Sequence, residues 1–220
     1  MKRILFLLLF SAIFIGIIYY SNLSEKPTQL PVINPIDVKK EMVDPTLLRS
    51  GYGHRIAHFS LTDQDSNTFS DKLLNDKIYV AEYFFTTCRT ICPLMNSQMT
   101  RIQRAFIQDT EIHLLSFTVD PEHDTPTILQ QYADKHDAKP GKWHFLTGPK
   151  QDLYALARKS FFVLKPAETV NQGDVGSDFI HTNNFVLVDK KRRIRGYYDG
   201  TSSEEVDKLI EDIRLLMKEN

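Results

Sequence analysis

Apolar and polar positions divide this chain into three unequal stretches. Ile4 to Tyr20 is an unbroken apolar block behind Lys2-Arg3. From residue 21 to about 50 the pattern dissolves into polar residues punctuated by Pro27, Pro31, Pro35 and Pro45. A stretch of that kind is an extended tether or an arm laid on a domain surface. From about Ile56 onward, strand and helix signals alternate. Residues 57–61 and 68–69 read as a small hairpin around the polar turn 63–67. Lys77 to Phe85 (KIYVAEYFF) is a continuous apolar, aromatic-rich run, as a strand covered on both faces requires. Pro93 suits a first helical turn, and Leu94, Met95, Met99, Ile102 and Phe106 then recur at helical spacing. A strand is expected over 111–119, and a helix from Asp124-Thr125-Pro126 to about Lys135. A short strand over 143–146 and a short helix over 151–160 follow. Residues 163–180 carry Pro, Gly and Asp without periodicity and read as a long loop. Residues 184–188 and 194–198 form a hairpin, and Ser202 or Ser203 caps a last helix with Val206, Leu209, Ile210, Ile213 and Leu216 on one face. Alternation of this kind predicts an α/β domain.

The leading apolar block decides location. Its seventeen residues, at ~1.5 Å rise each, reach ~25 Å, the short end of a bilayer span. The two positive charges before it keep the N-terminus in the cytoplasm and place everything after Tyr20 on the far side. Residues 1–20 are therefore read as a single-pass transmembrane anchor, 21–50 as a linker and 51–220 as an exported domain. A cleaved signal peptide is the rival, although Ser21-Asn22-Leu23-Ser24-Glu25 offers no small-x-small cleavage site. Both readings put the domain on the periplasmic or extracytoplasmic side of a bacterial-type inner membrane. A net charge of −1 over 220 residues gives no electrostatic basis for binding nucleic acid. The basic run Lys190-Lys191-Arg192-Arg193 is read as a solvated turn between strands.

The chain has two cysteines, Cys88 and Cys92, where the long apolar strand turns into the first helix. At i and i+4 around a helix start they share one face, with Cα atoms roughly 6 Å apart and within disulfide reach. Helix N-terminal amides stabilise a thiolate there, and Arg89 adds a positive charge. The pair can exchange disulfides or offer two soft ligands to a metal. A passive bridge is the bland alternative, but so short a loop constrains the unfolded chain little. This placement of a dithiol points to a thioredoxin-like, three-layer α/β domain. In such a fold the segment entering strand 184–188 passes close to the dithiol, and His181 ends that segment. Two thiolates and one imidazole suit Cu(I), or Cu(II) with a further donor. Structural zinc normally takes four protein ligands, and no convincing fourth is present. Asp120 is read as a turn residue rather than a ligand-orienting carboxylate. His54, His58, His113, His123, His136 and His144 form no HxH or HxxxH unit.

The segment Phe84-Phe-Thr-Thr-Cys88-x-x-x-Cys92-Pro93 resembles the signature of the SCO/SenC family. So does Thr118-Val-Asp120-Pro121-Glu-His-Asp124-Thr125-Pro126, and His181 stands where that family has its histidine ligand. Phe145-Leu-Thr-Gly148 and the N-terminal anchor are similar too, so the resemblance covers about residues 52–218. It implies a copper-binding metallochaperone for the dinuclear copper site of cytochrome c oxidase, with Cys88, Cys92 and His181 as ligands. The implied partners are the oxidase's copper-site subunit, a copper donor protein and a thioredoxin-like reductant. The chain departs from the family at Arg89-Thr90, where proline and an acidic residue are common. It departs again at Ile180, where an aspartate commonly precedes the histidine; Asp178 is the nearest carboxylate. A membrane-anchored thiol–disulfide oxidoreductase is the alternative function. A thioredoxin-like peroxidase is a third reading, against which the CxxxCP spacing and His181 argue.

Overall fold

A computed structural model describes residues 29–44, 47, 51–163 and 183–219. The run behind Lys77 forms strand β3 (Ile78–Phe84), and every residue of it is buried. Its alternation sends Ile78, Val80 and Phe84 into one core and Tyr79, Ala81 and Tyr83 into another, on the opposite sheet face. Around β3 a seven-stranded sheet assembles from β1 (Ser60–Asp63), β2 (Thr68–Ser70), β4 (Ile112–Thr118), β5 (Trp143–Thr147), β6 (Asn184–Val188) and β7 (Ile194–Asp199). The strand order is β2-β1-β5-β4-β3-β6-β7. β3, β4 and β5 run parallel, whereas β6, β7, β1 and β2 extend the sheet antiparallel at its two sides.

Helices α1 (Cys92–Ala105), α2 (Pro126–Lys135) and α4 (Ser203–Leu216) cover the first face through Met95, Met99, Ile102, Leu129, Leu209 and Ile213. The second face is closed by α3 (Lys150–Ala155) and a π-helical turn over Leu156–Ser160, which carries Phe161 into the core. The single helix expected over 151–160 is thus an α-helix that widens in its second half. The first strand is also displaced from 57–61 to Ser60–Asp63. The Asp63 carboxylate accepts from the Asp65 and Asn67 amides, making that residue both the strand end and the anchor of the turn. The last helix starts as expected, with Ser202 Oγ accepting from Glu205 N.

The arm before the domain is laid along β7. Ile33 N donates to Ile194 O at 2.9 Å. The buried Arg195 guanidinium reaches Leu30 O at 2.6 Å, Pro31 O at 3.0 Å, Asp189 Oδ2 at 3.1 Å and Glu219 Oε2 at 2.5 Å. Glu219 in turn accepts from Leu30 N at 2.8 Å. The predicted membrane anchor at 1–20 lies outside the described residues. Among those described, no helix is long and apolar enough to cross a membrane.

Candidate functional site

The dithiol lies where its flanking sequence places it. β3 ends at Phe84, a turn follows in which Cys88 N donates to Phe85 O at 3.2 Å, and Cys92 is the first residue of α1. Pro93 occupies the first turn, where no acidic side chain neutralises the helix amides. Both cysteines are free and both are buried, Cys88 at 8% and Cys92 at 3% exposure.

Their environments are unequal. Burial would push the Cys88 thiol up. Hydrogen bonds from the Cys92 thiol, the Cys92 and Thr90 amides and the Thr90 hydroxyl outweigh that and hold it below its ordinary value. Thr90 Oγ1 lies 3.7 Å from the Cys88 sulfur. Burial pushes the Cys92 thiol far up, and its own bond to Cys88 and the charges of Cys88 and Glu82 add to the shift. Cys88 is therefore the more acidic thiol of the pair and Cys92 the less acidic one.

Two polar clusters hold this turn. Asp124, fully buried, accepts from Thr86 N at 3.2 Å, from Thr118 Oγ1 at 2.5 Å and from the Thr86 hydroxyl. His123 Nδ1 lies 3.0 Å from the same carboxylate, whose hydrogen bond holds the imidazole above its ordinary pKa. The loop after β4 is thereby stitched to the strand end that carries Cys88. The second cluster lies beneath α1. Asn96 donates to Cys92 O at 2.8 Å and to Tyr132 Oη at 2.6 Å. Nearby, Ser116 Oγ donates to Glu82 Oε1 at 2.6 Å. Trp143 Nε1 donates to Ser116 Oγ at 2.8 Å.

Cys88 and Cys92 are thus brought together, whereas His181 lies outside the described residues, as do Asp178 and Ile180. Among the described residues no three His, Cys, Asp or Glu side chains converge on one metal position. Asp120 serves the turn through its backbone, its carbonyl accepting from His123 N and Asp124 N. Asp124 and Glu82 escaped the sequence reading. Glu82 did carry a signal: it is the one charge strictly inside the apolar run of β3. Asp124 read as a helix opener, but Thr125 takes the N-cap position and the Asp124 carboxylate turns inward.

Comparison with known proteins completes the picture. A protein-family model described as SCO1/SenC matches residues 50–218. A SCO1 protein homolog of Bacillus subtilis is 28% identical over 169 residues, covering 76% of this chain and 85% of its own. The solved structure of BsSco, a member of the Sco family of cytochrome c oxidase assembly proteins in which a disulfide switch has been identified, superposes with a TM-score of 0.63. It is 28% identical, over 76% of this chain and 95% of its own. The copper-bound structure of Bradyrhizobium japonicum ScoI shares the fold with a TM-score of 0.57 at 24% identity, over 72% of this chain and 98% of its own.

Proposed function

The chain belongs to the SCO1/SenC family, and from that premise we propose that it is a copper metallochaperone. It takes up copper as cargo through Cys88, Cys92 and His181 and passes it to the dinuclear copper site of a cytochrome c oxidase. Residues 1–20 anchor it in the membrane, with the domain on the extracytoplasmic side. The observation that carries this reading is the free dithiol at the start of α1, with hydrogen bonds that make Cys88 the more acidic of its two thiols. Thiolate sulfur is the donor type that selects Cu(I), and a histidine nitrogen completes a set that also accepts Cu(II). The oxidase assembly role of the Sco family and the copper in B. japonicum ScoI support the choice of metal and of recipient.

Elemental analysis of the reduced, detergent-solubilised chain after copper exposure is expected to give one copper per chain. The Cys88→Ser/Cys92→Ser variant should give none, and equal copper in the two proteins would overturn the reading. His181→Ala should lose the sulfur-to-copper absorption band of Cu(II) while still holding Cu(I) on two sulfurs.

A second reading, thiol–disulfide exchange, is favoured by the inequality of the two thiols. A low-lying Cys88 attacks or leaves readily, and a high-lying Cys92 resolves. Insulin reduction by the metal-free chain measures it directly.

A further inference from the structure

The basic turn at 190–193 is not an isolated run. β3, β4 and β5 start, and β6 ends, at the end of the sheet opposite the dithiol. Five segments meet there: 71–77, 106–111, 136–142, 189–195 and 217–219. Together they hold ten lysines and arginines against seven aspartates and glutamates. The loops at the dithiol end, 85–91, 119–125, 148–149 and 199–202, hold one arginine against four acids. A chain of net charge −1 is thus polarised along its strands, positive away from the sulfurs. Ion pairs do not remove that excess. Glu111 is matched by Lys190 at 2.9 Å, Asp71 by Arg192 at 3.4 Å and Asp189 by Arg193 at 2.7 Å. Lys72, Lys191 and Lys218 are exposed and take part in no ion pair among the described residues.

Apolar side chains are exposed at the same end. Leu73 and Ile107, at 57% and 41% exposure, are two of the five large apolar residues left open among those described. They lie in the segments that enter β3 and β4. Lys77 ties those segments together, its Nζ donating to Thr110 O at 3.1 Å. Cations set among exposed apolar side chains suit a lipid headgroup layer, where the charges meet phosphate and the apolar groups reach the acyl boundary. The chain itself gives the reason to expect a bilayer there. Leu30, held by Arg195 and Glu219, enters the domain at this end, ten residues after the apolar block at 4–20.

We propose that this end of the domain is a docking surface for anionic phospholipid, with Lys72, Lys77 and Lys191 on headgroup phosphates and Leu73 and Ile107 at the acyl boundary. The proposal goes beyond the copper reading, and it rests on residues 1–20 being an anchor only for bringing the lipid within reach. Docking of this kind fixes which face of the domain a recipient in the same membrane meets.

The test is lysine footprinting of the full chain in two sets of nanodiscs, one of phosphatidylcholine and one of phosphatidylcholine mixed with phosphatidylglycerol. A water-soluble acetylating ester labels open amines, and mass spectrometry reads the rate at each lysine. In the anionic discs Lys72, Lys77 and Lys191 should label several-fold more slowly than in the neutral ones. Lys150, at the start of α3 and towards the dithiol end, should be unchanged. Salt at about 1 M, where the screening length falls to about 3 Å, should erase the difference. Each cation near an anionic surface is worth about fivefold in affinity. Lys72→Gln/Lys191→Gln should therefore weaken docking about 25-fold, and Lys77 should then label at its neutral-disc rate. Equal rates in the two discs overturn the proposal, as does slowing of Lys150 along with Lys77, or slowing that survives high salt. A chain that does not enter the discs removes the anchor reading instead. The same footprint is then taken with free anionic vesicles: slowing at Lys72, Lys77 and Lys191 upholds the surface, and unchanged rates overturn it.

Discussion

Replacing Asp124 with alanine removes an acceptor on which four donors converge. Two of them, Thr86 N at 3.2 Å and Thr118 Oγ1 at 2.5 Å, meet Oδ2, and the Thr86 hydroxyl and His123 Nδ1 meet Oδ1. The His123 ring is half exposed and finds water, so its loss adds little. Thr118 is fully buried and the Thr86 amide is partly so. Each buried donor left unsatisfied costs about 1–3 kcal/mol, which puts Asp124→Ala near 4 kcal/mol of destabilisation. Asp124→Asn should cost roughly half as much, because the change is graded by donor type. An amide nitrogen on the Oδ1 side can donate to the Thr86 hydroxyl and to the other tautomer of His123. The carbonyl oxygen stays on the Oδ2 side, where the Thr86 amide cannot reverse its role. Urea denaturation of the reduced chain measures both variants, and an NMR titration should show the His123 pKa falling back in each. An Asp124→Ala protein as stable as wild type to within about 0.5 kcal/mol, the range of ordinary surface substitutions, would refute the reasoning.

Acid should unfold the domain partly through His113 and His144, partly buried neighbours on β4 and β5 whose rings stack 5.8 Å apart. Burial lowers both, and repulsion from His144, Lys142 and Lys77 helps bring His113 to about 4. A depressed folded pKa makes their contribution complete above the unfolded value near 6.5 and lost as pH falls towards 4. Denaturation midpoints across that range should flatten in His113→Gln, and an unchanged slope would dismiss the residue. Arg195→Ala should cost about 1–3 kcal/mol, because Glu219 and the Leu30 and Pro31 carbonyls lose their donor while Asp189 keeps Arg193. Hydrogen exchange should then rise at residues 30–33 with α1 unaffected, and equal protection in wild type and variant would contradict the clamp.

The strand–dithiol–helix unit is legible in the sequence because each of its signals is local. An apolar run, two cysteines and a proline at the helix start lie within seventeen residues, Lys77 to Pro93. The same locality explains the last helix, whose cap and apolar stripe are adjacent. What was illegible depends on distant partners. Nothing near residue 30 says that Arg195 and Glu219 will grip it, so a packed arm and a free tether look alike. Glu82 is visible as a charge in an apolar run, but Ser116 and Trp143 reach it only once β4 and β5 are aligned beside β3. Asp124 follows the same logic. Its short polar neighbourhood signals a turn, and only the return of Thr86 turns it into a buried hub. The position of β1 beside β5, with β5 and β4 between it and β3, likewise needs the whole sheet.

The Arg195 clamp has a mechanical meaning. β7 begins opposite the end of β6, and β6 runs antiparallel to β3, so Ile194 and Arg195 sit at the pole of the sheet away from the dithiol turn. Glu219, beyond the end of α4, lies at that same pole. The chain therefore enters the domain at its base, with the two sulfurs at its tip. A pull along the preceding residues is borne first by the guanidinium and its carboxylates, not by the strands that carry the thiols. On the proposal that residues 1–20 are the anchor, the ten steps from Tyr20 to Leu30 can span at most about 35 Å. On that proposal the point of attachment and the two sulfurs lie at opposite poles of the domain, so a taut leash turns the sulfurs away from the anchor.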